Sequence, residues 1–286
     1  MKIPSTATHV SRCNLCTLIL MVVAIYLPTA SLSQMPTPDS RIKKPLIYQI
    51  GDVVHIHADG PRPLLLALDA LQEKYGWIVN YEDAEYPANS GLSPNPPSQS
   101  PHIHANVRRR GGGGFSVEFN VGPTPDSRPD EYSVLTAVVN AYNEGNATAQ
   151  FELRTKNEKD ASFDVVGVGI GGQGNEIATQ QPILDLSIML ATELRTVEET
   201  IASICQKLSE RSKVPVIPGE ISNDVHGRST RPTIAVGGVG VPARTLLSRT
   251  LTFMGDGMGW RLLYDSSSKN YELNVIGPSQ SAKTTN

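Results

Sequence analysis

Cysteine is close to missing, with three in 286 residues. Two of them, Cys13 and Cys16, sit in the N-terminal stretch discussed below. Only Cys205 remains beyond it, so no intrachain disulfide is expected and the fold must rely on its core. No apolar run reaches the ~20 residues that span a bilayer, which excludes a polytopic membrane protein. Neither sign of charge dominates: 25 basic against 28 acidic residues excludes a broadly basic nucleic-acid binder. Heptads and Gly-X-Y triplets are absent, which excludes a coiled coil and a collagen-like fibre. There is no G-x-S-x-G, no H-E-x-x-H and no cysteine placed as a nucleophile. No catalytic residue, cofactor-binding residue or cofactor is therefore assigned, and the chain is not expected to be an enzyme. Aromatic residues are few, 6% of the chain. Hydrophobic residues at 39% nonetheless suffice for packed cores, while 24 glycines and 21 prolines point to many turns.

The first 33 residues read as a secretory signal. Lys2 and Arg12 precede the 13-residue apolar run Leu15–Leu27. Pro28 and a stretch of small residues follow, with Ser31 and Ser33 at the −3 and −1 positions of a cleavage site. Removal of 1–33 would discard Cys13 and Cys16, whose C-x-x-C spacing otherwise suggests redox or metal chemistry. It would also remove two cations and no acid, leaving a more acidic mature chain. The expected location is the periplasm, reached by export, with membrane contact through the transient signal alone.

Beyond a Pro-rich leader at 34–45, the hydrophobic periodicity gives two segments of like order. In the first, 46–169, a strand or hairpin over 46–58 leads into a helix with Leu64, Leu68, Leu71 and Tyr75 on one face, stopped by Gly76. A strand at 77–81 follows, then a Pro/Gly-rich insert at 86–114, a strand at 115–121, a helix at 129–142 and a hairpin of 149–153 with 162–168. A linker at 170–182 leads to the second segment, 183–277. There a strand over 184–190 precedes a helix opened by the capping box of Thr196 and Glu199, with Ile201, Ile204, Cys205 and Leu208 on its apolar face. Strands at 214–217 and 233–236, a helix starting near Pro242 and a hairpin of 260–264 with 271–276 complete it. A polar tail, 278–286, ends the chain. The fold class is α+β: two tandem small modules, each with two helices packed on small mixed sheets in β-α-β-β-α-ββ order. Residues 76–82, GWIVNYE, and 259–265, GWRLLYD, match each other and hold both tryptophans. Each tryptophan is expected to plug the end of a core.

The second segment resembles the secretin and TonB short N-terminal (STN) domain of the bacterial envelope. The resemblance lies in LDLSIMLA, TVEETIASICQKLSER, VPVIPG, TIAVGGVGVPARTLLSRTLTF and WRLLYDSSSKNYELNVI, taken as a pattern of elements. Residues 46–169 look like a more divergent copy. The resemblance implies a non-catalytic module that docks partner proteins ahead of an outer-membrane pore or receptor. Only PSQSAKTTN follows Gly277, so no pore or barrel is expected here. The implied role is a periplasmic interaction or scaffold protein whose partner is an outer-membrane channel, receptor or secretion-machine subunit.

Other motifs suggest sharper chemistry. His55-Ile-His57 and His102-Ile-His104 repeat HIHA. On a strand, i and i+2 share a face, so His55, His57, His102 and His104 together would offer four imidazoles to zinc or copper. The plainer reading is exposed strand histidines, and no metal ligand is assigned; a periplasmic metal-binding protein is the alternative function. Gly167-Val-Gly-Ile-Gly-Gly172 resembles a dinucleotide loop but lacks the helix that must follow at once. Gly171-Gly-Gln173 matches the tripeptide of translation release factors, and the signal segment argues against a ribosomal role. Arg108–Arg110, before four glycines, reads as a solvated loop rather than a nucleic-acid site. Asn146-Ala-Thr148 is a glycosylation sequon without force in a bacterium. An enzyme of unrecognised class is the further alternative.

Overall fold

The computed structural model describes residues 45–60, 62–85, 114–121, 128–145, 149–157, 160–171, 177–222 and 233–278. The signal segment, the leader, nearly all of the Pro/Gly-rich insert with His102, His104 and Arg108–Arg110, the sequon and the end of the tail lie outside them. Residues Arg41–Asn286 make one compact unit, and the class is α+β.

The first half opens with a hairpin. Strand β1 (Leu46–Ile50) turns at Gly51, φ 63°, into β2 (Val53–Ala58), the geometry that favours glycine in a two-residue hairpin loop. Helix α1 (Pro63–Tyr75) starts at a proline, whose missing N–H costs nothing there, and ends at Gly76 in the left-handed conformation, φ 73°. Strands β3 (Ile78–Glu82) and β4 (Phe115–Asn120), helix α2 (Glu131–Gly145), and the hairpin of β5 (Ala149–Asn157) and β6 (Asp160–Gly171) follow. The segment read as a linker is partly strand: β7 (Ile177–Thr179) pairs antiparallel with the end of β6.

In the second half a single 3-10 turn, Ile183–Asp185, precedes β8 (Ser187–Thr196). Helix α3 (Val197–Ser212) carries the expected capping box: the Thr196 hydroxyl accepts from Glu199 N–H, and the Glu199 carboxylate accepts from Thr196 N–H. Then come β9 (Val216–Ile221), β10 (Thr233–Pro242), α4 (Ala243–Thr252), β11 (Gly259–Asp265) and β12 (Asn270–Ile276).

The strands do not stay in two separate sets. One sheet runs β5-β6-β3-β11-β12-β9, while β1-β2-β4 and β8-β10 form smaller antiparallel sheets. In the large sheet β6 is parallel to β3 and antiparallel to β5; likewise β12 is parallel to β9 and antiparallel to β11. The triplets meet where β3 lies parallel to β11, with Tyr81 opposite Arg261 and Glu82 opposite Leu262. The two strands with matching sequences are thus neighbours.

Both triplets have the same lateral order and opposite strand directions. Half a turn about an axis in the sheet, across the strands, carries one set of directions onto the other. That operation exchanges the faces, and the helices obey it. On the Tyr81 and Arg261 face, Tyr81 stacks with Phe151, and Phe151 meets Tyr142 of α2. On the opposite face, Arg244 of α4 lies over Trp260. In the second half Val216, Leu262, Leu273 and Val275 are buried, while their alternates Ile217 and Glu272 are exposed. The buried apolar residues of both halves join in a single cluster. Trp77 and Trp260 are both buried in it.

Candidate functional site

The outward face of β1-β2-β4 holds the first histidine pair. His55 and His57 alternate with the buried Val54, Ile56 and Ala58, so both imidazoles stand on one face. Each is already engaged. His55 Nδ1 lies 3.0 Å from Glu118 Oε1, and its ring stacks on Tyr48 at 4.9 Å. His57 Nδ1 lies 2.8 Å from Ser116 Oγ, and Nε2 lies 2.9 Å from Asp59 Oδ2. With Nε2–H donated to Asp59, Nδ1 accepts the Ser116 hydroxyl proton. This Ser-His-Asp set was not legible in the sequence, because β2 and β4 are brought together across the long insert. In effect it fastens β2 to β4. Of the four expected imidazoles, the described residues place only this pair. Among the described residues no group of three or more His, Cys, Asp or Glu is arranged to hold a metal.

The glycine run is not a phosphate loop. Gly167 and Gly169 lie within β6. A Cβ at Gly167 would sit 2.5 Å from the Ala84 backbone nitrogen, so this glycine permits a close backbone approach. Gly171 ends the strand, and Gly172 and Gln173 lie outside the described residues. Cys205 is buried, and burial pushes its thiol up to about 12, as suits an inert core cysteine.

Among the described residues a cluster of ion pairs lies at the junction of the halves, at positions to which the sequence assigned no role. Arg244 of α4 donates to Glu82 at 2.5 Å, to Asp164 at 3.1 Å and to Asp185 at 2.8 Å. Arg154 of β5 also donates to Asp185, at 2.6 Å. The Asn80 amide donates to Asp164, and the Leu184 N–H donates to Glu82. Burial raises the Glu82 carboxyl above its usual range against the pull of Arg244. Burial alone would lower Arg244, yet its three carboxylates raise it above the ordinary guanidinium value. Alongside, Asp83 accepts from Arg62, Tyr81 and the Tyr264 N–H. Arg261, buried on the other face, donates to the Val79 carbonyl, Asp69 and Gln72. These groups are paired with each other and clamp the two halves. A signal was present in Glu82 at the end of β3 and Asp83 just after it, beside apolar strand residues, but the Arg244 that pairs with Glu82 lies 162 residues away. An open cleft of about 560 Å³ lies on the uncovered face beside α1, lined by Asp69, Glu73, Arg261, Leu263 and Asn274 among others.

Two exposed edges remain. Among the described residues strand β1 pairs only with β2, and it exposes Leu46 at 56%, Tyr48 at 42% and Ile50 at 63%. The β8-β10 ribbon exposes Met189, Leu194 and Val239. No family model, curated protein or solved structure matches the chain.

Proposed function

We propose that this chain is a non-catalytic docking or scaffold protein, exported to the periplasm of a double-membraned bacterium and built from two STN-like modules. The observation that carries the proposal is the β1 edge. Among the described residues it is a strand with one partner, and it presents three large apolar side chains to solvent. Such an edge suits strand addition by an extended segment of an envelope protein, with backbone hydrogen bonds for affinity and alternate side chains for specificity. The proposed partner is an outer-membrane channel, receptor or secretion-machine subunit. The matching lateral order of the two strand triplets supports the reading of paired modules.

Crosslinking in the native envelope, followed by pull-down on a C-terminal tag and mass spectrometry, tests this. The expected result is an envelope-machine component that is lost with Ile50→Lys while the fold is retained. Recovery of the chain alone from a soluble fraction would overturn it. The shared face of His55 and His57 favours a second reading, zinc or copper binding completed by His102 and His104. Unchanged zinc and copper affinity after all four are replaced by alanine would sink that reading.

A further inference from the structure

In the first half β2 has a strand on each edge, β4 on one side and β1 on the other. Strand β8 holds the corresponding place in the second half. It leads into α3 as β2 leads into α1, and it pairs antiparallel with β10 as β2 does with β4. Among the described residues, no strand fills the position beside β8 that β1 fills beside β2.

The two outer edges of the large sheet are treated differently. On β5, the Asn143 side chain accepts from the Phe151 N–H and donates to its carbonyl. On β9, Ser209 Oγ accepts from the Val216 N–H and donates to its carbonyl, and Pro218 has no N–H. These are the side-chain and proline devices by which natural sheets blunt an edge. On β8 the Ala191 carbonyl accepts from Arg195, but the ribbon's outward face is apolar. Met189 and Val239 stand opposite each other at 65% and 80% exposure, and Leu194, opposite Ala235, is 76% exposed.

We infer that β8 pairs antiparallel with β8 of a second copy of this chain, about a twofold axis at Leu194, to form a four-stranded β10-β8-β8-β10 sheet. The local sequence Glu193-Leu194-Arg195 selects both occupant and register. Antiparallel pairing centred on Leu194 sets Glu193 of each copy opposite Arg195 of the other, so opposite charges meet twice and the two leucines meet on the axis. Each copy's own Arg195–Glu193 ion pair, 2.7 Å, becomes part of a ring of four alternating charges. The contact is isologous, so it closes at two copies and does not propagate. Since β8 ends at Thr196, the pairing spans only residues 192–196 of each copy, a small interface, and a dissociation constant on the order of micromolar or weaker is expected. The inference rests on the strand order and charges of β8, not on docking at β1, so the two fail separately.

Sedimentation equilibrium of the exported chain, over a wide concentration range, tests it. The expected result is a monomer–dimer equilibrium. Glu193→Arg replaces two attractive cross-strand pairs by two repulsive ones and weakens the dimer by about tenfold or more. The double change Glu193→Arg with Arg195→Glu restores self-complementarity and the dimer. Leu194→Lys sets two cations on the axis and yields monomer, at a side chain too exposed for the fold to depend on it. Circular dichroism melts confirm that each variant is folded. A monomer at every concentration, a dimer indifferent to Glu193→Arg or Leu194→Lys, or a folded double variant that stays monomeric overturns the inference.

Discussion

Burying the Arg244 guanidinium takes a cation out of water, and Glu82, Asp164, Asp185 and the Trp260 ring replace that solvent. Removing the cation leaves Glu82 and Asp164, both nearly inaccessible, without their main counter-charge. Arg244→Met is expected to destabilise the protein by about 3–5 kcal/mol in urea unfolding, the usual cost of orphaning a buried charge. A loss below 1 kcal/mol would show that the acids are protonated or rehydrated without it. Glu131, at the start of α2, has a different problem. Desolvation first, and the neighbouring Asp130 second, raise its carboxyl from 4.5 to about 7, and its Oε1 is buried without a hydrogen-bond partner. Between those two values the folded chain holds a proton that the unfolded chain has released. Its contribution to stability is therefore greatest below 4.5 and falls as pH rises through 7. Glu131→Gln should flatten that slope and leave the protein more stable at pH 8, by about 1 kcal/mol after allowance for solvent screening. An unchanged slope in melts between pH 4 and 8 would contradict this account. Neither role was legible in the sequence: Arg244 reads as an ordinary polar residue near a helix start, and only long-range packing gives it three acids.

At the scale of elements, local chemistry decides the helix ends. Gly76 closes α1, and Lys213 closes α3 in the same left-handed conformation, φ 66°. A side chain costs about 1–2 kcal/mol there that glycine avoids. Lys213→Gly is thus expected to raise stability by about 1 kcal/mol, partly offset by glycine's chain entropy. A drop in melting temperature would refute the expectation. At the other end of α3, Thr196→Ala removes half of the capping box and should cost about 1 kcal/mol. The Thr196–Glu199 spacing and the glycine stop of α1 were readable because they involve neighbours in the chain. So were the four helices, whose apolar faces recur every three or four residues, and the hairpins, whose arms lie close in sequence. Lys213 carried no such signal. The β7 strand at 177–179 and the pairing of β3 with β11 were equally hidden, since strand partners are chosen by contacts far apart in sequence. The histidine face was half readable: alternation put His55 and His57 on one side, but Glu118 and Ser116 came from beyond the insert.

For the whole molecule, the two segments of like order are joined through shared strands and side chains. One sheet runs through both halves, with α1 and α2 over one face and α4 over the other. Arg244 and Arg154 on one face of the sheet and Arg261 on the other cross-link the halves. The apolar residues of both halves join in one cluster. Each half holds one tryptophan, Trp77 in the first and Trp260 in the second, both buried. That allows the most direct test of the account. Trp260→Phe leaves fluorescence to report the first half alone, and Trp77→Phe leaves it to report the second. Urea unfolding of each single-tryptophan protein should be followed by fluorescence and by far-ultraviolet circular dichroism. The two signals are expected to coincide in both proteins, because the halves share a sheet and an apolar cluster and unfold together. Fluorescence and circular dichroism midpoints that separate in either protein would contradict it, and would mean that the halves are independent units.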